Sequence, residues 1–148
     1  MANKSALNRK KNGKYYTPRE LADFLIEALM VRKCKSVLDP AYGNGSLLLA
    51  VAKALAEGGV SNPNDIIFGC DKQPVNGHLT LVPKSNLVKS DFFDYPPDRK
   101  FDAVVMNPPY VRHHLISETK KKVYQKTINH LCQLSGKADL WAYFLVKA

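Results

Sequence analysis

Cysteine is scarce in this chain and scattered. Cys34, Cys70 and Cys132 are odd in number and far apart, with no C-x-x-C pair among them. That pattern supports neither a disulfide framework nor a zinc site, and it fits a reducing cytoplasm. Long apolar runs are missing as well. The longest, Leu47 to Ala56, is interrupted by Lys53, and the amino terminus is polar and basic without the apolar centre of a signal peptide. No segment therefore reads as a membrane span or a secretory leader. Acidic residues are in deficit. Thirteen Asp and Glu stand against 22 Lys and Arg, a formal charge of +9. Such a balance suits a polyanionic partner, and equally a basic surface that is merely solvated. No internal repeat is present, and no low-complexity tract beyond the basic first residues.

What remains is enough for one globular α/β domain. The chain has 148 residues, 45% of them hydrophobic and 24% charged, close to the composition of folded proteins. Met1 to Lys14 reads as a flexible basic arm. Thr17-Pro18-Arg19-Glu20 then combines a Thr N-cap, a proline at the first helical position and a glutamate at the capping-box position. Leu21, Phe24, Leu25, Ala28 and Leu29 follow at helical spacing, which predicts that their face packs on something larger. Four short segments rich in apolar or β-branched residues are expected as strands: Ser36 to Asp39, Asp65 to Cys70, Asn86 to Lys89 and Ala103 to Met106. Ser46 to Glu57, closed by Gly58-Gly59, is expected as the helix that connects the first two. Strand, helix, strand implies a crossover and a parallel sheet. The link from Asp71 to Ser85 carries Pro74, Gly77 and Pro83, so it should lack a regular helix. Ala138 to Val146 is apolar enough for a buried one.

The residues able to do chemistry fall where these strands end. In a doubly wound sheet, ligands sit beyond the carboxyl ends of the strands. Asp39-Pro40-Ala41-Tyr42-Gly43-Asn44-Gly45 leaves the first strand and opens a helix. Gly43 and Gly45 remove side chains where backbone must approach a ligand, and Asp39 offers a carboxylate to a cationic group. An ordinary glycine turn would look the same. Asp71 ends the second strand, where a carboxylate can accept from both hydroxyls of a ribose. Asp91 and Phe92 follow the third and offer an acceptor and a backbone donor to a purine edge. Asn107-Pro108-Pro109-Tyr110 follows the fourth. Neither proline donates a hydrogen bond, so this turn presents acceptors. The Asn107 side-chain oxygen and the Pro108 carbonyl could hold the two hydrogens of an exocyclic amine, while Tyr110 stacks on its ring.

These motifs, in this order, resemble the γ-class amino-methyltransferases that modify adenine in DNA, including those of restriction-modification systems. The resemblance runs from about Lys14 to the end. Tyr15-Tyr16-Thr17-Pro18 resembles the family's amino-terminal motif, which lies against the methionine part of S-adenosyl-L-methionine. Asp39 to Gly45, with Ala41, resembles the motif that holds the methionine moiety. Asp71 matches the ribose-binding acid, and Asp91 and Phe92 match the residues that meet the cofactor adenine. Asn107 to Tyr110 resembles the catalytic N-P-P-Y, and Asp139-Leu140 with Phe144 resembles the helix that lines both pockets. The resemblance implies a Rossmann-like class I methyltransferase fold, a doubly wound and mainly parallel sheet. It also implies transfer of a methyl group to the N6 amino group of a flipped adenine in double-stranded DNA, without a metal. Asn at position 107 favours adenine over cytosine N4.

Two departures stand out. Tyr42 occupies a place where smaller residues or Cys are common. The family's sheet has seven strands, whereas this sequence ends before the fifth and carries no target-recognition domain. Residues 15–148 are therefore expected to be a partial catalytic domain, its carboxy-terminal strands missing and its fourth strand an open edge for a second copy, a specificity subunit or a restriction subunit. Arg112, His113, His114 and Lys120 to Lys122 read either as a path for the DNA backbone or as a solvated loop. The rival readings are methylation of a protein glutamine or of guanine in ribosomal RNA through the same N-P-P-Y, and a fragment that binds cofactor without catalysis.

Overall fold

Val37–Asp39 (β1), Ile67–Cys70 (β2), Leu87–Val88 (β3) and Ala103–Val104 (β4) pair side by side in the order β3-β2-β1-β4. All three pairings are parallel, with Val37 opposite both Ile67 and Ala103, and Gly69 opposite Leu87. The computed structural model describes residues 15–29, 31–75, 79–96 and 99–148. The basic segment Met1 to Lys14 lies outside them, as does Gly77. Among the described residues no helix is long and apolar enough to cross a membrane. Tyr16–Asn107 form one compact unit, and Pro108–Ala148 with Tyr15 form a second.

In the first unit, Arg19–Ala28 (α1) and Ser46–Glu57 (α2) pack against each other. The helix α2 has the limits its sequence predicts. Gly58 caps its end and Gly59 takes the left-handed conformation that follows. Leu48, Val51 and Leu55 of α2 are fully buried with Val37 and Ile67 of the sheet, and each such side chain contributes about 1.5–3 kcal/mol. At the opposite end of the strands, the Asp102 carboxylate accepts from the backbone N–H of Lys35 (2.7 Å) and Ser36 (3.0 Å), fixing how β1 and β4 start.

Several sequence expectations are corrected here. The strands are shorter than their apolar runs: Asp65 lies in a 3₁₀ turn, Pro63–Ile66, and the turn Lys84–Asn86 takes Asn86. Lys89 and Met106 likewise lie beyond the paired residues. The N-cap of α1 is Pro18, not Thr17, and no side chain caps this helix. Glu20 is thus displaced from the capping-box position. The buried face of α1 is also inverted. Ala22 and Ile26 are 0% and 1% exposed, whereas Leu21, Phe24, Leu25 and Leu29 lie on the open side, at 39–67%. Two helices approach closely where their contact residues are small, and Ala22 belongs to the same core as Ala50 and Ala54 of α2. An ion pair between Lys53 and Asp23 (3.3 Å) joins the two helices at the rim.

The second unit contains Glu118–Ile128 (α3) and Leu140–Lys147 (α4). Tyr124 packs on Tyr143 with ring centroids 5.7 Å apart, and Ile116, Ile128 and Phe144 are buried. Lys120 to Lys122, read from sequence as a loop or a DNA path, are helical. The overlooked signal was Ser117, whose hydroxyl caps α3 by accepting from the Lys120 N–H, with Tyr124 and Ile128 one turn apart on the buried face. The helix α4 starts at Leu140 rather than Ala138, with Asp139 at its N-cap.

Candidate cofactor and catalytic site

The sheet reverses its winding at β1, which has β2 on one side and β4 on the other. A doubly wound sheet opens its ligand crevice beyond the strand ends at that point. Asp39, at the end of β1, and Asn107, just past β4, both lie at that point of the sheet.

The turn after β1 is held from several sides. Gly43 and Gly45 have φ of +52° and +84°, conformations that favour glycine. A side chain on Gly43 would begin 3.1 Å from the Tyr16 ring, and one on Gly45 would meet Leu79 at 2.6 Å. Asp71 carries the turn toward β2. One oxygen of its carboxylate accepts from the Gly43 N–H (2.9 Å) and the other from the Gln73 N–H (2.6 Å). Asp71, expected from sequence as the ribose acid, thus braces the glycine turn that follows β1. Tyr42, the unusual residue here, is buried, and a side chain on Gly69 would begin 2.6 Å from its ring. Glycine at position 69 is what lets the tyrosine lie over β2.

Asp39 is 1% exposed and accepts from the Ala41 N–H at 2.9 Å. Burial pushes its carboxyl up to about 7, helped by the nearby Asp71 and opposed by the Ala41 N–H. An arriving ammonium group would supply the countercharge. Asp91 caps the turn Phe92–Asp94 by accepting from the Phe93 N–H (3.2 Å), and its other oxygen pairs with Lys72 at 2.7 Å. Since Lys72 follows Asp71, the acids beyond β2 and β3 are joined through it. Phe92 is buried, edge-on to Phe93.

Thr17 is buried, and its hydroxyl accepts from the Asn107 side-chain amide nitrogen at 3.2 Å. Sequence reading placed Thr17 beside the cofactor and as a helix cap. It did not foresee this bond, because the two residues lie 90 positions apart. Pro18 is exposed, and Tyr16 and Ala41 are half-buried.

In the second unit, Tyr110 is half exposed and meets Tyr15 edge-on at 6.2 Å. The segment behind it is tied to the start of α4: the Leu140 N–H donates to the Val111 carbonyl (2.9 Å), and the His113 N–H donates to the Asp139 carboxylate (2.7 Å). That backbone bond is the main reason the Asp139 carboxyl lies below its ordinary range. Asp139 thus secures the loop that follows Pro108-Pro109-Tyr110, a role its place in the sequence alone did not disclose.

Among the described residues, a parallel sheet wound both ways from β1, with acids and a glycine turn at its strand ends, defines a Rossmann-like α/β fold. The modification subunit of a putative type I restriction enzyme from Vibrio vulnificus YJ016 shares it, with a TM-score of 0.62 and 22% identity, over 97% of this chain and 30% of that one. The chain belongs to the N-6 DNA Methylase family, whose profile matches residues 1–146. It is 34% identical over 112 residues to the type I restriction enzyme MjaIX methylase subunit of Methanocaldococcus jannaschii, covering 68% of this chain and 19% of that protein. It is also 33% identical over 94 residues to a release factor glutamine methyltransferase of Rhodopirellula baltica, covering 62% of this chain and 32% of that one. The chain spans less than a third of the length of each. Membership in a methylase family implies a methyl donor.

Proposed function

We propose that this chain carries the cofactor-binding and catalytic residues of an S-adenosyl-L-methionine-dependent enzyme that methylates the N6 amino group of adenine in double-stranded DNA, as the modification component of a cytoplasmic restriction-modification system. The observation that carries the reading is the placement of Asn107 beyond β4, beside the strand that leads into the Asp39-to-Gly45 turn.

The donor set fits the cofactor. Asp39, buried and raised to about 7, would receive the ammonium of the methionine part. Gly43 and Gly45, with Tyr16, Thr17, Pro18 and Ala41 around them, would let backbone approach it. Asp71 would take the ribose hydroxyls, and Asp91 with Phe92 the adenine. When bound, the cofactor supplies an electrophilic methyl group.

The chain's own part in the reaction is to prepare the acceptor. An exocyclic amine is a poor nucleophile because its lone pair is delocalised into the ring. The Asn107 side-chain oxygen and the carbonyl of Pro108, the next residue, would each accept one amine hydrogen and turn the lone pair out of conjugation. Pro109 keeps the turn rigid, and Tyr110 would stack on the extruded base. Charge follows the division of labour. Residues 108–148 contain seven Lys or Arg against two acids, residues 1–15 five against none, and residues 16–107 ten against eleven. The basic portions would meet phosphate. Among the described residues β4 pairs only with β1, so its other side would accept further strands, a second copy, or a specificity or restriction subunit.

The test is transfer of labelled methyl from S-adenosyl-L-methionine by the intact enzyme to duplex DNA and, in parallel, to a release factor. N6-methyladenine in the DNA is the expected product. Label in protein glutamine alone would replace this reading with the glutamine one.

A further inference from the structure

Asp139 stands at the N-cap of α4, where a side-chain acceptor ordinarily takes an N–H of the helix's own first turn, yet it makes no such bond. Its carboxylate reaches across 26 positions instead and accepts from the His113 N–H at 2.7 Å, with the His113 ring Nδ1 at 3.4 Å from the same oxygen. The next residue pulls in the same direction. The Leu140 N–H, which as part of the first turn has no acceptor inside the helix, donates to the Val111 carbonyl at 2.9 Å. Val111 in turn donates its N–H to the Pro109 carbonyl at 3.1 Å, which closes a γ-turn centred on Tyr110. The start of α4 therefore holds the chain at Val111 and at His113, directly beyond that turn. Each of these backbone bonds has one possible direction, since an N–H only donates and a carbonyl or ionised carboxylate only accepts. Tyr110 itself is 52% exposed, so the backbone is what fixes much of its place.

We propose that Asp139 is a positioning residue for Tyr110: by holding the backbone just beyond it, the start of α4 fixes the aromatic face on which the extruded base stacks. A half-exposed ring gains little order from packing, and ordering it only when the base arrives would subtract that entropy from binding. A turn pinned at its far end meets the cost in folding instead. The inference rests on the reading of Tyr110 as the platform for the base. It assigns Asp139 a task in capturing the acceptor, separate from holding cofactor.

The experiment measures methyl transfer to unmethylated genomic duplex DNA by the intact enzyme, as wild type, Asp139→Asn, Asp139→Ala, Tyr110→Ala and the double variant Asp139→Ala with Tyr110→Ala. Asparagine keeps an oxygen for the His113 N–H, and alanine keeps none. Asp139→Ala should lower kcat/KM for DNA about tenfold with cofactor affinity within about twofold of wild type, and Asp139→Asn should recover most of the loss. In the Tyr110→Ala background, Asp139→Ala should cost less than about twofold, because the ring it positions is gone. The same loss in both backgrounds would overturn the proposal, as would a matching fall in cofactor affinity. Leu140→Pro cuts the second tie and carries the test if Asp139→Ala does not fold. Proline suits the first position of a helix, and Asp139 already has the extended backbone, φ −74° and ψ 162°, that a following proline requires. Its effect too should vanish in the Tyr110→Ala background. A readout independent of turnover is the backbone amide resonance of His113 in enzyme labelled with 15N-histidine. It should move in Asp139→Ala and stay near its wild-type place in Asp139→Asn; no movement in Asp139→Ala overturns the proposal. A wild type that places no methyl on adenine, with the resonance moving as expected, would instead strike the reading of the reaction, and the task assigned to Asp139 with it.

Discussion

The turn that follows β1 and the helical pair of residues 108–148 are built by opposite means. The turn is acidic, buried and braced by its own backbone: Asp39 and Asp71 accept three backbone N–H groups between them, and Gly43 and Gly45 adopt conformations that favour glycine. The helical pair is basic and held by a small aromatic core. Its lysines at 120, 122 and 126 stand exposed, and Lys121 of α3 pairs with Glu118 at 2.8 Å. On the proposed function, the turn would hold a small ligand, which needs the fixed geometry that buried polar contacts supply. The helical pair would meet a polyanion, for which charge matters more than shape.

The comparison can be broken at either end. The largest effect is expected from neutralising Lys120, Lys122 and Lys126 together to Gln. DNA affinity of the intact enzyme should fall about a hundredfold at low salt, with a shallower salt dependence and unchanged cofactor affinity. Binding titrations at several salt concentrations check this; an unchanged salt slope would leave these lysines as solvent-facing helix only.

Next comes the rigidity of the turn. Gly45→Ala puts a methyl group 2.6 Å from Leu79 in a left-handed conformation, whereas Gly59→Ala meets nothing within 4 Å at a similar φ. Gly59→Ala should cost about 1 kcal/mol and Gly45→Ala about 2–3, read by denaturant unfolding. Equal losses would mean that the turn yields to the added methyl group.

A smaller effect follows from Asp39. Its carboxyl must be ionised to receive an ammonium, and burial has raised it to about 7. Cofactor affinity should therefore rise with pH up to about 7 and level off above, dropping about tenfold for the first full unit below. The contribution of Asp39 to the stability of the free protein runs the other way. The folded state binds a proton at Asp39 that the unfolded chain has released, so this contribution falls between about pH 4 and pH 7 and is flat beyond. Asp39→Asn should abolish both slopes, as calorimetry and melting at several pH values would show.

Legibility in the sequence varied with the range of the interaction that decides each feature. The helix α2 was readable to the residue, since its ends depend on Gly45 and Gly58-Gly59 next to it. The parallel sheet and the acids at the ends of its first three strands were readable from short apolar, β-branched segments and the order strand, helix, strand. The buried face of α1 was not. Leu21, Phe24, Leu25 and Leu29 form the more hydrophobic stripe, but the close approach of α2 selects Ala22 and Ile26. Thr17 shows the same limit at the site. Its local context offers a cap, and a residue 90 positions away takes the hydroxyl instead. The bracing of Gly43 by Asp71 and of His113 by Asp139 were out of reach for the same reason.

The central claim is that holding the cofactor and activating the amine are assigned to different residues. Calorimetric titration of S-adenosyl-L-methionine into Asp39→Ala and Asn107→Ala tests it most directly. Affinity should fall about tenfold to a hundredfold in Asp39→Ala and stay near wild type in Asn107→Ala, which nonetheless transfers no methyl. Wild-type affinity in Asp39→Ala, or normal turnover in Asn107→Ala, would contradict the account.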